Sequence, residues 1–247
     1  MGGTIRLFKF SGIQVYLHFS WFLVAAYQIQ RANPYSSQIW AAYEYLALFL
    51  IVLLHEFGHA LACRQTGGRA DQIVLWPLGG IAFVDPPRRP GAMLWSIAAG
   101  PLVNVILIPV FSVALAMLKP AAAEAPNFYL LVHQVGQINQ MLLIFNILPV
   151  YPLDGGQILR SVLWFPLGEI RSLQIASALG LVGAVILAGL ALVFRIMEPI
   201  WVVVLAFFLI SRAVEGWRYA KALIQEEEAN RAARLVPTIP ESERPGL

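Results

Sequence analysis

The sequence predicts an all-α polytopic membrane protein, with about six transmembrane helices and a re-entrant β-hairpin between the second and the third. Composition is the first observation, because only 13% of the 247 residues are charged and 59% are hydrophobic, whereas soluble domains carry about 25% charged residues. The second is a set of six apolar stretches, each close to the ~20 residues that cross a bilayer as a helix. The third is a short apolar segment that contains the turn residues of a hairpin.

The six apolar stretches account for most of the chain up to residue 217. The first follows Arg6 and Lys9, and no small-residue cleavage site is evident after it, so we interpret it as a retained span rather than a removed signal peptide. We expect residues 1–217 to form a membrane-embedded domain and residues 218–247 a cytoplasmic, partly disordered tail. The predicted spans are residues 13–30, 39–62, 92–118, 128–148, 174–194 and 197–217.

The segment between the second and third spans does not fit a helix. Two β-prone runs, residues 72–76 and 81–84, flank a turn sequence that contains Pro77 and two glycines. The segment is too apolar for an ordinary water-exposed loop, and non-helical backbone survives at membrane depth only against protein or a wet cavity. We therefore expect a re-entrant hairpin beside a polar cavity.

The placement of Lys and Arg predicts the orientation, because cytoplasmic loops carry an excess of both. Six spans place both termini on one side, and that side holds 14 of the 17 Lys and Arg residues. We therefore expect a multi-pass protein of the cell membrane with both termini in the cytoplasm. No basic run is longer than Arg88-Arg89, so we expect no nucleic-acid partner.

The second predicted span carries an HExxH motif, His55-Glu56-Phe57-Gly58-His59. Residues four apart on a helix share a face, so both imidazoles project to the same side. This spacing is typical of two zinc ligands, with the glutamate between them as general base. A charge at the centre of an apolar helix costs about 2.5–3.5 kcal/mol on insertion scales, and a bound metal would compensate for that cost. We expect one Zn²⁺ per chain.

A catalytic zinc site needs a third protein ligand and an open position. Asp154 is favoured, because it follows the fourth span where Pro149 and Pro152 disturb the helix. The two glycines after it relax the backbone further, and such an unwound helix end can aim a carboxylate sideways. The HExxH motif and Asp154 both lie toward the cytoplasmic ends of their spans, so they can meet at one level. The other candidates are His18, His133, Asp71 and Asp85.

Four ordered motifs make the chain similar to the site-2 protease family of intramembrane zinc metalloproteases. They cover approximately residues 45–160. PDZ-like and CBS domains are not evident, so the chain resembles the compact members of that family. The motifs are the HExxH motif, Gly79-Gly80-Ile81, Gly100-Pro101-Leu102-Val103-Asn104, and the segment from Asn146 to Gly156.

The resemblance implies roles for individual residues and a reaction. His55, His59 and Asp154 would be the zinc ligands and Glu56 the base. Asn146 would line the active site and could stabilise the oxyanion. The implied reaction is hydrolysis of peptide bonds in or near transmembrane segments, in regulated intramembrane proteolysis or in the clearance of signal-peptide remnants.

The resemblance also implies how substrate would bind. The hairpin would pair with an unwound substrate segment by strand addition, so Gly79, Gly80 and Ile81 are candidate substrate-binding residues, together with Asn104. Packing between membrane helices explains Asn104 and Asn139 at least as well. The expected partners are single-span membrane proteins and the lipid bilayer.

Two other functions could use the same residues. A metal ion transporter could pass ions along a His/Asp cluster, but it would place ligands at several depths rather than at one. An inactive membrane scaffold could keep the metal site, but it would have no use for the carboxylate of Glu56.

Overall fold

The structure is a computed structural model that describes residues 3–30, 34–76, 79–194 and 199–235. Helices dominate, and four strands form a small sheet. The elements, in chain order, are β1 (Thr4–Phe10), β2 (Ile13–His18), α1 (Ser20–Gln30), α2 (Gln38–Gln65), β3 (Arg69–Trp76), β4 (Gly79–Asp85), α3 (Pro90–Leu118), a 3₁₀ turn (Lys119–Ala121), α4 (Pro126–Ile147), α5 (Asp154–Val193) and α6 (Pro199–Leu235).

The four strands form one sheet in the order β1-β2-β3-β4. The two outer pairs are antiparallel, and β2 and β3 are parallel. Ser11 at φ 48° and Gly12 at φ 78° join β1 to β2, and two successive positive φ angles are typical of a type I′ hairpin turn. Ile13 and Val15 of β2 are fully buried in a core that also contains Phe57 of α2. The sheet is therefore packed against the helix that carries the HExxH motif.

The helix predicted over residues 13–30 is wrong. Residues Ile13–His18 form β2, and the 11-residue α1 is about 16 Å long, too short for a hydrocarbon core of ~30 Å. The physical reason is the alternation of buried Ile13, Val15 and Leu17 with polar or aromatic residues, which is the period of a strand. The sheet also means that the all-α prediction is wrong, and the protein is mostly helical with a small sheet.

Three helices in the described part of the chain are long and apolar enough to cross a membrane by length and composition: Gln38–Gln65, Pro90–Ala121 and Asp154–Val193. The second, third and fifth predicted spans fall on them. Helices α4 and α6 occupy the places of the fourth and sixth spans but are not among the three, so the predicted count of six is not confirmed. Residues 195–198, the predicted break between the last two spans, and residues 236–247 of the tail lie outside the described residues.

The predicted hairpin is present as β3 and β4. Its strands are antiparallel, with Ile73 opposite Ala82 and Trp76 opposite Gly79, and the turn residues 77–78 lie outside the described residues. The hairpin is not isolated, because β2 extends it into the four-stranded sheet. Its entry into the bilayer stays a prediction.

The chain divides into two compact units: residues 1–149 with 153–162, and residues 150–152 with 163–247. The first unit contains the sheet, α1 to α4 and the start of α5. In the second, Leu173 of α5 packs with Ala220 and Leu223 of α6. Helix α5 is broken at Gly168, whose φ of 81° and ψ of 169° are not helical. The domain boundary at residue 217 stays a prediction.

Candidate metal centre

Three ligand atoms meet where α2 lies beside the first residue of α5. Nε2 of His55 is 3.1 Å from Nε2 of His59 and 3.0 Å from Oδ2 of Asp154. The same carboxylate oxygen is 3.4 Å from Nε2 of His59. Both histidines are buried, and Asp154 is partly buried. In the part of the chain that the structure describes, these three residues form the group that could hold a metal ion.

The start of α5 is placed by a close approach to the end of α4. Helix α4 ends at Ile147, and Leu148 has an extended ψ of 133°, close to the place where the prolines of this segment predict an unwound end. A Cβ on Gly155 would lie 2.2 Å from the carbonyl oxygen of Ile147. Only glycine therefore lets the chain turn back this tightly, and the turn is what places Asp154 beside the two histidines.

The outer nitrogens of both imidazoles are bound to α3. Nδ1 of His59 donates to the carbonyl oxygen of Ser96 at 2.9 Å, and Nδ1 of His55 donates to Oδ1 of Asn104 at 2.6 Å. Carbonyl and amide oxygens only accept hydrogen bonds, so each Nδ1 carries the hydrogen. In the neutral imidazole each Nε2 then presents a lone pair to the cluster, and the neutral ring is the form of histidine that binds a metal.

The three atoms that face one another fit a zinc ion. Two lone pairs and a carboxylate oxygen within 3.4 Å of each other repel unless a cation lies among them. Ligands held at ~2.0–2.1 Å from one tetrahedral ion stand about 3.3 Å apart, close to the separations observed. Two imidazoles and a carboxylate are also a ligand set that zinc accepts.

Space for an ion is kept open by Gly100 of α3. A Cβ on this residue would lie 2.2 Å from Nε2 of His59, within the region where the ligand atoms converge. The glycine therefore lets α3 pass directly beside the cluster.

The carboxylate of Glu56 lies between α2 and β4. Its side chain is buried, at 6% exposure, and Oε2 accepts a hydrogen bond of 2.9 Å from the backbone N–H of Ala82. A Cβ on Gly80 would lie 2.2 Å from Cγ of Glu56. The strand can therefore cover the carboxylate only because a glycine stands at this position.

The remaining ligand candidates lie elsewhere. The ring of His18 stacks on Trp76 with centroids 3.8 Å apart, and His133 is a half-buried residue of α4 outside the cluster. Asp71 and Asp85 are exposed residues of the sheet. Within the described residues, Asp154 is thus the carboxylate that joins the two histidines.

The candidate substrate-binding and oxyanion residues have different surroundings. Asn104 is fully buried and bound to His55. Asn146 is half-buried on α4, and the structure forms no hydrogen bond between it and the three ligands. Gly79 lies at the start of β4, Gly80 lies against the side chain of Glu56, and the backbone of Ile81 pairs opposite β3. The roles proposed for these residues stay predictions.

Two backbone groups at the site were missed by sequence reasoning, the carbonyl of Ser96 and the N–H of Ala82. Backbone groups belong to every residue, so a sequence pattern does not reveal which of them will be functional. A single sequence feature could have pointed to the carbonyl of Ser96. Ser96, Gly100 and Asn104 are spaced by four on α3, which puts a small or polar stripe on one face of an otherwise apolar helix.

Fold and site together define a class of protein: a helical membrane protein in which an HExxH helix and an aspartate from a later helix form a cluster that could hold one metal ion. The model of Peptidase family M50 matches residues 43–134 and 111–190. The chain belongs to this family.

Relatives and a solved structure agree with this assignment. The zinc metalloprotease MJ0392 of Methanocaldococcus jannaschii is 34% identical over 180 residues, which are 73% of this chain and 51% of the relative. Stage IV sporulation protein FB of Bacillus subtilis is 33% identical over 121 residues, 46% of this chain and 38% of the relative. The site-2 protease structure from Methanocaldococcus jannaschii superimposes with a TM-score of 0.62 at 28% identity, covering 87% of this chain and 95% of that one.

These comparisons confirm the family predicted from the motifs, and with it the class of zinc metalloprotease and a membrane environment. The expected zinc cofactor is confirmed by the relatives' names together with a cluster that can hold one ion. The chain spans about half the length of the curated relatives it matches, so the activity and substrates of the whole protein belong to the proposal that follows.

Proposed function

We propose that this chain is an intramembrane zinc endopeptidase that hydrolyses peptide bonds in or near the transmembrane segments of single-span membrane proteins. One observation carries the proposal: Glu56 interacts electrostatically with His55, His59 and Asp154, and its Oε2 at the same time accepts a hydrogen bond from the backbone N–H of Ala82 in β4. A base, a metal site and a strand edge are thereby combined. A transporter or a scaffold needs the metal ligands but neither of the other two.

The catalytic roles follow from the contacts of the residues. His55, His59 and Asp154 would hold zinc, which when bound supplies Lewis acidity toward a peptide carbonyl and toward water. Glu56 accepts the proton of the attacking water and passes it to the leaving amine, as a general base and then a general acid. Asn146, by its family resemblance, stabilises the oxyanion.

The sheet offers a way to hold the substrate. Peptide bonds in a helix are shielded by backbone hydrogen bonds, so the substrate must unwind before it is cut. β4 is the last strand of the described sheet, and the N–H of Ala82 in this strand donates to Glu56. A substrate strand added along this edge would contact Gly79, Gly80 and Ile81 and pass next to the base.

The proposal includes a location and a substrate class. The chain has both termini in the cytoplasm, residues 218–247 form a cytoplasmic tail, and the site lies in the cytoplasmic half of the bilayer. By the family resemblance, the reaction serves regulated intramembrane proteolysis or the clearance of signal-peptide remnants, both of which involve single-span substrates.

The test measures zinc content and cleavage of a model single-span substrate in parallel. Wild-type protein should bind about one zinc and cleave. Glu56→Gln should keep the zinc and lose cleavage by about 10²- to 10⁴-fold, the usual contribution of a general base. Glu44→Gln, on the same helix three turns earlier, is the matched control and should cleave normally.

The outcome separates the proposal from its rivals. Full cleavage by Glu56→Gln would contradict the base assignment. Zinc retained in Asp154→Ala would move the third ligand to another residue. Zinc binding without cleavage, together with zinc flux into vesicles, would favour a transporter.

A further inference from the structure

Two asparagines lie behind the metal centre, away from the converging ligand atoms. Asn104 of α3 and Asn139 of α4 are both 0% exposed. Nδ2 of Asn104 donates to Oδ1 of Asn139 at 2.8 Å, and Nδ2 of Asn139 donates to the backbone carbonyl of Asn104 at 3.0 Å. With the bond from His55 to Asn104, they form a chain of hydrogen bonds that crosses α4, α3 and α2.

The direction of this chain is fixed at its far end. The backbone carbonyl of Asn104 can only accept, so the amide group of Asn139 that faces it must be the NH₂ group. Oδ1 of Asn139 is then turned to Asn104 and can only accept from the NH₂ group of Asn104. Oδ1 of Asn104 is consequently turned to Nδ1 of His55, which must donate.

We propose that Asn104 and Asn139 are positioning residues for the metal centre, and that the chain of hydrogen bonds holds His55 with its hydrogen on Nδ1 and its Nε2 lone pair on the metal. The inference rests on the proposed function only in taking His55 as a zinc ligand. In this role Asn104 binds Nδ1 of His55, on the side of the imidazole ring that faces away from the converging ligand atoms. The role also explains why two amide side chains are buried in apolar helices.

The competing explanation is that the two amides join helices without acting on His55. The two explanations differ in the role of Asn104. A joint between helices needs the bonds between the two asparagines, whereas positioning of His55 needs the acceptor oxygen on Asn104. Outer-shell partners of metal-bound histidines typically change metal affinity 10- to 100-fold when removed.

The experiment uses detergent-purified full-length protein and measures two metal properties that do not depend on proteolysis. One is the zinc dissociation constant, from competition with a chelator, and the other is the visible absorption of bound Co²⁺, which reports ligand geometry. Elution as a single folded species in gel filtration is required of every variant. Ser161→Ala is the control, because this buried hydroxyl donates only within its own helix, to the carbonyl of Gln157.

Asn104→Leu removes the acceptor, and its zinc affinity should fall about 10- to 100-fold with a changed Co²⁺ spectrum. Asn104→Asp keeps an acceptor oxygen for His55 and gives up the amide donor to Asn139, so its affinity should stay within a few fold of wild type. Asn139→Leu frees the amide of Asn104 to turn, and its affinity should fall by an intermediate factor. If the asparagines only join the helices, Asn104→Asp should instead lose zinc affinity as Asn139→Leu does, because both variants lose the hydrogen bond between the two side chains.

The inference is overturned if Asn104→Leu, once folded, binds zinc and Co²⁺ as wild type does. Should that variant not fold, the other two decide: unchanged affinity in Asn139→Leu, or a loss in Asn104→Asp as large as in His55→Ala, would overturn it. If wild-type protein itself binds no zinc, the proposed function fails first, and that outcome is distinct from any result with the asparagine variants.

Discussion

Two glycines of this site, Gly100 and Gly80, stand where a single methyl group would displace a side chain of the candidate site. At Gly100 the methyl carbon would lie 2.2 Å from Nε2 of His59, closer than any real contact. We predict that Gly100→Ala lowers both zinc affinity and cleavage, with cleavage reduced about 10²-fold as for other displacements of near 1 Å at active sites.

Gly136→Ala is the matched control for this prediction. Gly136 is also a buried helical glycine, but its Cβ would meet Phe111 at 3.4 Å, an ordinary van der Waals distance. Zinc content by elemental analysis and cleavage of a model substrate are measured for both variants. Normal zinc binding by Gly100→Ala would show that α3 can move away from His59.

A substitution of Gly80 tests the proposed base, Glu56, separately from the proposed metal site. A Cβ there would meet Cγ of Glu56 at 2.2 Å, and no metal ligand is among its nearest contacts. We predict that Gly80→Ala keeps its zinc but loses cleavage by at least about tenfold, because the carboxylate is displaced from its position. Equal losses of zinc and cleavage would mean that β4 supports the whole site and not only the base.

That His55, His59 and Asp154 meet in one cluster could be predicted because the sequence signal for each of them is local, while their catalytic roles stay predictions. His55, Glu56 and His59 follow from one helical turn, and Asp154 follows from prolines and glycines that end a helix. The backbone groups of Ser96 and Ala82 could not be predicted, because a carbonyl or N–H becomes functional only through tertiary contact. The same is true of Gly100, whose closeness to His59 depends on how α3 packs against α2.

At the scale of elements, the sheet is where prediction and structure differ most. The apolar run over residues 13–30 contains a six-residue strand and an 11-residue helix, and averaging hydrophobicity over the whole run hides the change from period two to period 3.6. The Ser11-Gly12 pair was the local sequence signal for the β1–β2 turn, and both residues have a positive φ in the structure. The hairpin of β3 and β4 was predictable because its turn residues and β-prone runs are adjacent in the sequence.

The break in helix α5 at Gly168 can be tested by substitution. Gly168 has φ 81° and ψ 169°, a region that is accessible almost only to glycine and that costs other residues about 1–3 kcal/mol. We predict that Gly168→Ala destabilises the protein by this amount, although a Cβ there would meet nothing within 4 Å. Gly189→Ala, in the same helix with equally open surroundings, should be neutral or stabilising by up to about 1 kcal/mol.

Thermal unfolding in detergent compares the two alanine variants with wild type. Because both substitutions add the same methyl group in open space, only the backbone conformation distinguishes them. Equal unfolding temperatures for the two would show that the break at Gly168 is not required for folding.

At the scale of the whole molecule, the family and the membrane environment were predictable, because composition and ordered motifs are properties of the entire chain. The number of spans was not, since α4 is long enough to cross a bilayer but is not among the three helices that satisfy both length and apolarity. A helix that lies against protein, as α4 does against α2 and α3, can carry polar residues such as Asn139 and lose the apolar character that marks a lipid-facing span.

Orientation in the membrane is the last prediction, and it tests whether α3 crosses the bilayer. In the six-span arrangement predicted from the sequence, 14 of the 17 Lys and Arg residues fall on the cytoplasmic side, and the positive-inside rule then places the β3–β4 hairpin there and the turn before α4 outside. In a Cys63→Ala background, which removes the single cysteine, Glu124→Cys should react with a membrane-impermeant maleimide in intact cells. Asp71→Cys, whose native side chain is 75% exposed, should react only after permeabilisation. The opposite labelling pattern would show that the protein has the opposite orientation in the membrane. Labelling of both positions from one side would show that α3 does not span the membrane.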